Sequence, residues 1–250
     1  MEDIIEVYTK AIELHNKHIS DGYQAEKNDL VTIFINRAKA YLEMDRVNES
    51  ITDFTKAVDL QHEMLKEGSL NDENNLATAL SSRGLAHIQQ KKYWNATKDF
   101  TEAINIQQRL FEQAKLPEPG KIGSNYMNRA IAFMELEKAQ KAIENYDLAI
   151  EFQDKLLASG IVFDKNEMAT ALMSRGIAFL MKKDFIKAEK DLSEAIVMYT
   201  FLEEKGELFS LNSFSIAYRS RYIVNSKLNK IKESENDYKM AEELFNKINK

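Results

Sequence analysis

Cysteine is absent from this 250-residue chain, which removes disulfides, thiolate metal sites and a cysteine nucleophile together. Two prolines and eight glycines are few for the length. Sheet-rich folds need turn residues at short intervals, so this scarcity predicts a mostly helical chain. There is no basic excess: the net charge is −6, which argues against a general nucleic-acid binder, because nothing is available to displace counterions from phosphates. No apolar run approaches membrane-spanning length, and the opening "MEDIIEVYTK" lacks the basic-then-apolar layout of a secretory signal. A soluble, cytoplasmic protein is the expectation. No phosphate-cradling glycine loop is found either.

What the chain does have is repetition. Arginine recurs at Arg37, Arg83, Arg129, Arg175 and Arg221, each 46 positions after the last, in "FINRAKAYL", "LSSRGLAHI", "YMNRAIAFM" and "MSRGIAFL" for the first four. Further columns keep the same register: Ala11, Ala57, Ala103, Ala149, Ala195 and Ala241, then Phe54, Phe100, Tyr146, Leu192 and Tyr238. Tyr41, His87, Phe133 and Phe179 follow four residues after their arginines, a column that ends in Asn225. A period of this length with helical spacing inside it predicts an all-α solenoid. In the second unit the apolar spacing predicts one helix over 73–90 and another over 93–113. The small-residue column Gly22, Gly68, Ala114, Gly160 and Gly206 marks helix ends, and Asn28, Asn74, Asn166 and Asn212 stand as N-caps, with Gly120 replacing the cap in the third unit. The loop "PEPG" holds both prolines without disturbing the period, so it reads as a local variation.

The second unit, "LSSRGLAHIQQKKYWNATKDFTEAINI", resembles a tetratricopeptide repeat, with Leu80, Gly84, His87, Ala96, Phe100 and Ala103 in the family's positions. Three other units match at the same six columns, and the fifth is degenerate, with Tyr222 in the small position and Asn225 in the aromatic one. Each unit is about a dozen residues longer than the usual repeat of roughly 34, and the proline that closes the second helix is missing. By resemblance the second helix is extended, as in long-repeat members of the family such as those of kinesin light chains. The resemblance implies a right-handed α-solenoid of antiparallel helix pairs, about eleven helices in one domain over 1–250. A half repeat over 1–22 would lead into full repeats at 28–68, 74–114, 120–160 and 166–206, followed by a capping repeat at 212–250. At that end Glu242 and Ser226 replace apolar columns, whereas the first helix shows no such switch. That helix either only covers the first full unit or meets another subunit.

Candidate chemistry divides into three parts. His15 and His18 lie one turn apart but have no third ligand, and His62 lacks the second histidine of a zinc-protease motif, so neither metal nor cofactor is expected and no residue is assigned a catalytic role. Sixteen residues after the arginines stand acids: Arg37 with Asp53, Arg83 with Asp99, Arg175 with Asp191 and Arg221 with Asp237, while Arg129 faces Asn145. Across an antiparallel pair this offset can form structural ion pairs that set register; the competing reading turns the arginines inward to an acidic ligand. By resemblance the opposite face of the first helices lines a concave groove. Leu85, Ile88, Met127, Asn128, Ile131, Met134, Met173, Ile177 and Leu180 fall there, flanked by Thr78, Ser82, Thr170 and Ser174. Such a stripe suits a partner peptide or amphipathic helix, unless superhelical winding buries it. The implied function is a non-catalytic protein-interaction scaffold. Homo-oligomerisation through the first helix and a peptide-sensing regulatory role are the alternatives.

Overall fold

The computed structural model describes residues 2–20, 27–161 and 164–249, apart from the side chains of residues 19 and 20; Gly22 lies outside this set. Among the described residues the chain is all helix, in eleven segments: α1 Glu2–Ser20, α2 Lys27–Glu43, α3 Val47–Glu67, α4 Glu73–Gln89, α5 Tyr93–Glu112, α6 Gly120–Glu135, α7 Ala139–Ala158, α8 Lys165–Met181, α9 Phe185–Lys205, α10 Leu211–Lys227 and α11 Ile231–Ile248. The chain divides into two compact units, Met1–Glu118 and Pro119–Lys250. In the first, α2 packs between α1 and α3, and α4 between α3 and α5. In the second, α8 packs between α7 and α9, and α10 between α9 and α11, while α6, α8 and α10 touch along one layer. Even-numbered helices are called A helices below, and odd-numbered ones B helices.

The helices begin and end for local reasons. Gly68, Gly160 and Gly206 take left-handed backbone at φ 71°, 71° and 69°, and Ala114 adopts the same conformation at φ 54° without a glycine's freedom. The N-caps fall two residues earlier than the asparagine column. Asp72 and Asp164 accept the amides of Asn74 and Asn166 at 2.8 Å, and Ser210 accepts that of Ser213 at 3.1 Å. The asparagines at 74, 166 and 212 are thus second helical residues, because a short side chain on extended backbone just outside the helix reaches the orphan amides best.

The turns between A and B helices carry a column that contains no glycine. Asp45, Lys91, Glu137, Lys183 and Asn229 all have positive φ, between 56° and 61°. After each, an amide closes back on the carbonyl five residues earlier, as Lys138 does to Phe133 at 2.8 Å and Asp184 to Phe179 at 2.9 Å. Strain is tolerated because two hydrogen bonds satisfy otherwise orphaned carbonyls.

Packing explains the small column at 38, 84, 130 and 176. A Cβ built on Gly84 would sit 2.9 Å from the Phe100 ring, and one on Gly176 would sit 2.8 Å from Leu192 Cγ. The A and B helices approach too closely there for any larger side chain. Phe54, Phe100, Tyr146 and Leu192 are buried as a result. In the last pair Tyr222 occupies the small position, so Tyr238 is displaced outward and exposed, its ring centroid 5.5 Å from that of Tyr222. The polar switch at this end is mixed: Glu242 pairs with Arg219 and Ser226 with Ser234, yet Phe245 and Ile248 remain exposed on α11.

Candidate functional site

The repeating arginines reach further than the sequence spacing indicates. Arg37 Nε and Nη2 donate to Asp53 at 2.6 and 2.9 Å, and Arg83 to Asp99 at 2.9 and 2.7 Å. Arg175 forms the same fork with Asp191 at 2.7 and 2.9 Å, as does Arg221 with Asp237 at 3.0 and 2.6 Å. The remaining nitrogen, Nη1, reaches back 28 residues to the preceding B helix: to Thr9 at 2.9 Å, Thr55 at 3.4 Å, Asp147 at 2.7 Å and Ser193 at 3.1 Å respectively. Each of these guanidiniums therefore ties three helices, which no single spacing reveals. Bidentate, charge-assisted geometry of this kind specifies orientation as well as distance. Burial lowers the Arg175 pKa, but its bonds to Asp191 and Asp147 more than offset this and hold it above the usual value. Arg129 donates to Asn145 Oδ1 at 2.6 Å, and burial without a carboxylate there pulls its pKa down. The fork leaves these arginines occupied by internal partners, so an acidic ligand gains little from them.

The A-helix face is more open, and it separates the sequence-selected residues into two groups. Leu85 on α4 is 47% exposed and Ile131 on α6 is 37% exposed, whereas Met127 and Met173 are only 8% and 7% exposed. Met173 is turned toward α9, its Sδ 4.0 Å from the Tyr199 hydroxyl, and Met127 lines the cavity described below. Ile88, Asn128, Met134, Ile177 and Leu180 are half-buried. In the second unit the apolar column thus runs Ile131, Ile177 and Ile223, on α6, α8 and α10, exposed at its two ends and half-buried at Ile177. Polar side chains run beside it, and several are held from below. Ser174 bonds the buried Tyr146 hydroxyl, whose pKa is pushed up to about 12 by burial. Thr170 Oγ1 lies 3.0 Å from the Tyr199 hydroxyl, and Ser124 donates to Glu167 at 2.8 Å.

At the end of this face nearest the α8 and α10 N-termini a cavity of about 310 Å³ opens, lined by Met127, Glu167, Thr170, Tyr199, Phe209 and Ser213 among others. Its rim is rigid. Asn166 donates to the Glu207 carbonyl and accepts the Phe209 amide, both at 3.0 Å, so the loop carrying the exposed Phe209 ring is pinned to α8. Burial raises the Glu167 pKa above the usual carboxylate value, the Ser124 hydrogen bond opposes this, and the nearby Asp164 charge adds to it. Glu167, Tyr199 and Phe209 were not selected from sequence. The signal was present for one of them: in the column His15, Gln61, Gln107, Gln153, Tyr199 and Phe245, three successive glutamines give way to an aromatic at Tyr199.

No group of three or more histidine, aspartate or glutamate side chains is placed to hold a metal among the described residues, and no helix there is long and apolar enough to cross a membrane. His62 Nε2 lies 2.7 Å from Glu102 on α5.

Residues 31–62 match the family model of the tetratricopeptide repeat. No curated protein matches the sequence at a significant level. Among solved structures the chain is similar to BtubC from P. vanneervenii, at 17% identity and a TM-score of 0.74, covering 99% of this chain and 92% of that one. It is similar to the nearly identical TPR-like repeats of a Podosopora anserina protein described as a kinesin light chain, at 12% identity and a TM-score of 0.65, covering 90% and 99%. It is also similar to YrrB, a TPR protein with an unusual peptide-binding site, at 15% identity and a TM-score of 0.57, covering 96% and 93%. At these identities the likeness is one of fold. The chain has the tetratricopeptide-repeat fold, and residues 31–62 match the repeat in sequence.

Proposed function

We propose that this protein is a non-catalytic interaction module that binds a segment of a partner protein along the A-helix face of its second unit. The carrying observation is the apolar column Ile131, Ile177 and Ile223 on three successive A helices, exposed at Ile131 and Ile223, half-buried at Ile177, and flanked by small polar side chains. Apolar side chains of the segment would seat on the isoleucines, while hydroxyls and amides beside them serve its backbone. The pinned cavity beside Tyr199 would take one further side chain and fix the segment's register. This narrows the apolar groove expected from the sequence, because Met127 and Met173 lie beneath the surface rather than on it. YrrB's peptide-binding site is consistent with this use of the fold. Reading the chain as one array over 1–250 rests on the period, which runs unbroken through "PEPG".

The test is selection of a binding peptide from a random display library, followed by titration. Replacing Ile131 and Ile177 with Glu should cut affinity by at least tenfold while far-UV circular dichroism stays the same. Equal binding by the variant, with intact helicity, would refute the assignment of this face.

A further inference from the structure

The first helix departs from the repeat in a way that points outward. In the B helices α3, α5, α7, α9 and α11, the position facing the paired A helix is Asp53, Asp99, Asn145, Asp191 or Asp237, and each receives an arginine from that helix. The same position in α1 is Val7, which is 64% exposed. One turn earlier, the column Ser50, Ala96, Ala142, Ala188 and Ser234 is small and buried, yet α1 has Ile4 there, 45% exposed. Ile4, Val7, Ala11 and Leu14, the last 55% exposed, follow at spacings of three, four and three. They form one stripe along α1, away from Ile5 and Ile12, which are buried.

Among the described residues α1 packs mainly on α2, and Ile4, Val7 and Leu14 stay exposed. A helix of the kind that pairs elsewhere in this chain would fit badly. Its arginine would be buried against Val7 with no carboxylate to meet it, which is strongly unfavourable. The matching surface is therefore apolar, free of a buried cation, and spaced for a helix seam. The α1 stripe itself meets these conditions. One flank is self-complementary at its ends: Asp3 stands near its start and Lys17 near its finish, with Lys10 at the centre, while Glu2 is taken up by Arg46 at 3.6 Å. Glu6 and Lys10 pair with each other inside the helix at 2.6 Å.

We propose that α1 is a homodimerisation element, two copies pairing antiparallel about a two-fold axis near Ala11. Val7 of each copy then meets Leu14 of the other, the small Ala11 side chains let the helices approach, and Asp3 lies opposite Lys17 twice by symmetry. An isologous contact of this type buries the same patch on both chains and closes on itself. A seam of three turns is short, so association falls in the micromolar range, roughly 1–100 µM.

Sedimentation velocity over a concentration series tests this on the whole chain. The expected result is a monomer–dimer equilibrium that Val7→Asp with Leu14→Asp shifts to monomer, with helicity retained. Asp3→Lys alone should weaken the dimer about tenfold, and Asp3→Lys with Lys17→Asp should restore it. Because the chain has no cysteine, Ala11→Cys should cross-link two copies on mild oxidation, whereas Glu13→Cys should not. A strict monomer at several hundred micromolar overturns the proposal. So does a dimer indifferent to Val7→Asp with Leu14→Asp, or one that the charge exchange fails to restore. Should the aspartates unfold α1, the charge exchange and the cross-link decide. Ile131→Glu with Ile177→Glu leaves this equilibrium unchanged, so failure of the peptide-binding face and failure of the dimer are separately visible.

Discussion

Consider removal of the acid from two of the arginine forks. Asp53 and Asp191 are both buried and each accepts two hydrogen bonds from its arginine. Truncating either to alanine leaves a partly buried guanidinium without its partner, a change that costs roughly 3–5 kcal/mol. The two sites differ in what remains. After Asp191→Ala, Arg175 keeps the Asp147 carboxylate at 2.7 Å, whereas after Asp53→Ala, Arg37 keeps no carboxylate but the Thr9 hydroxyl at 2.9 Å and the Phe34 and Tyr41 rings at 5.9 and 5.8 Å. A charge-assisted hydrogen bond is about twice as strong as a neutral one, so Asp53→Ala should cost about 1–2 kcal/mol more than Asp191→Ala. The reciprocal change is Asn145→Asp. It gives Arg129 a carboxylate and forfeits the bond from Asn145 Nδ2 to the Lys141 carbonyl, for a net gain of about 1 kcal/mol. Urea titrations of all three variants, read by circular dichroism and fluorescence so that loss of two-state behaviour is detected, measure these differences. Equal costs at Asp53 and Asp191, or a cost below about 1 kcal/mol at both, would show that the forks do not hold adjacent helices together as the geometry implies.

Three further outcomes follow from particular side chains. His87 is buried with an unpartnered Nδ1, and burial lowers its pKa against the opposing pull of Asp99. Because the folded value lies below the unfolded one of about 6.5, the protein loses stability as pH falls from there through the folded pKa; His87→Phe, the residue type of this column at 133 and 179, should abolish that loss in melts across mildly acidic buffers. Glu167 has the opposite sign: its raised pKa favours the neutral acid, so its contribution is present below about pH 4.3 and lost as pH rises through the folded value. Glu167→Gln should therefore raise the melting temperature at neutral pH and match the parent in strong acid, and a lower melting temperature at neutral pH would contradict this. Ala114→Gly relieves left-handed strain that the equivalent glycines do not carry, and should stabilise by up to about 1 kcal/mol in a urea titration.

Much of the architecture was legible because the period is rigid. A 46-residue repeat with small, aromatic and alanine columns dictates recurring helix pairs, and the bounds of α4 and α5 fell within a residue of the spacing. The N-caps were misplaced because Asn, Asp and Ser compete for the same few positions, and only backbone conformation decides between them. The left-handed turn residues at 45, 91, 137, 183 and 229 were invisible for a related reason. Sequence reading looks for glycine at such positions, and here paired hydrogen bonds carry lysine and glutamate instead.

The sequence alone determined the class, the register and the pairing of each arginine with a residue sixteen positions on, since all three follow from local spacing. Which side chains face the open surface was decided by tertiary packing. Met127 and Ile131 sit one turn apart on the same helix, yet one is buried and the other exposed, because the next helix covers only part of that face. The third contact of each fork, the pinned Phe209 rim and the uncovered stripe on α1 are likewise properties of neighbouring helices, and no periodicity within a single helix encodes them.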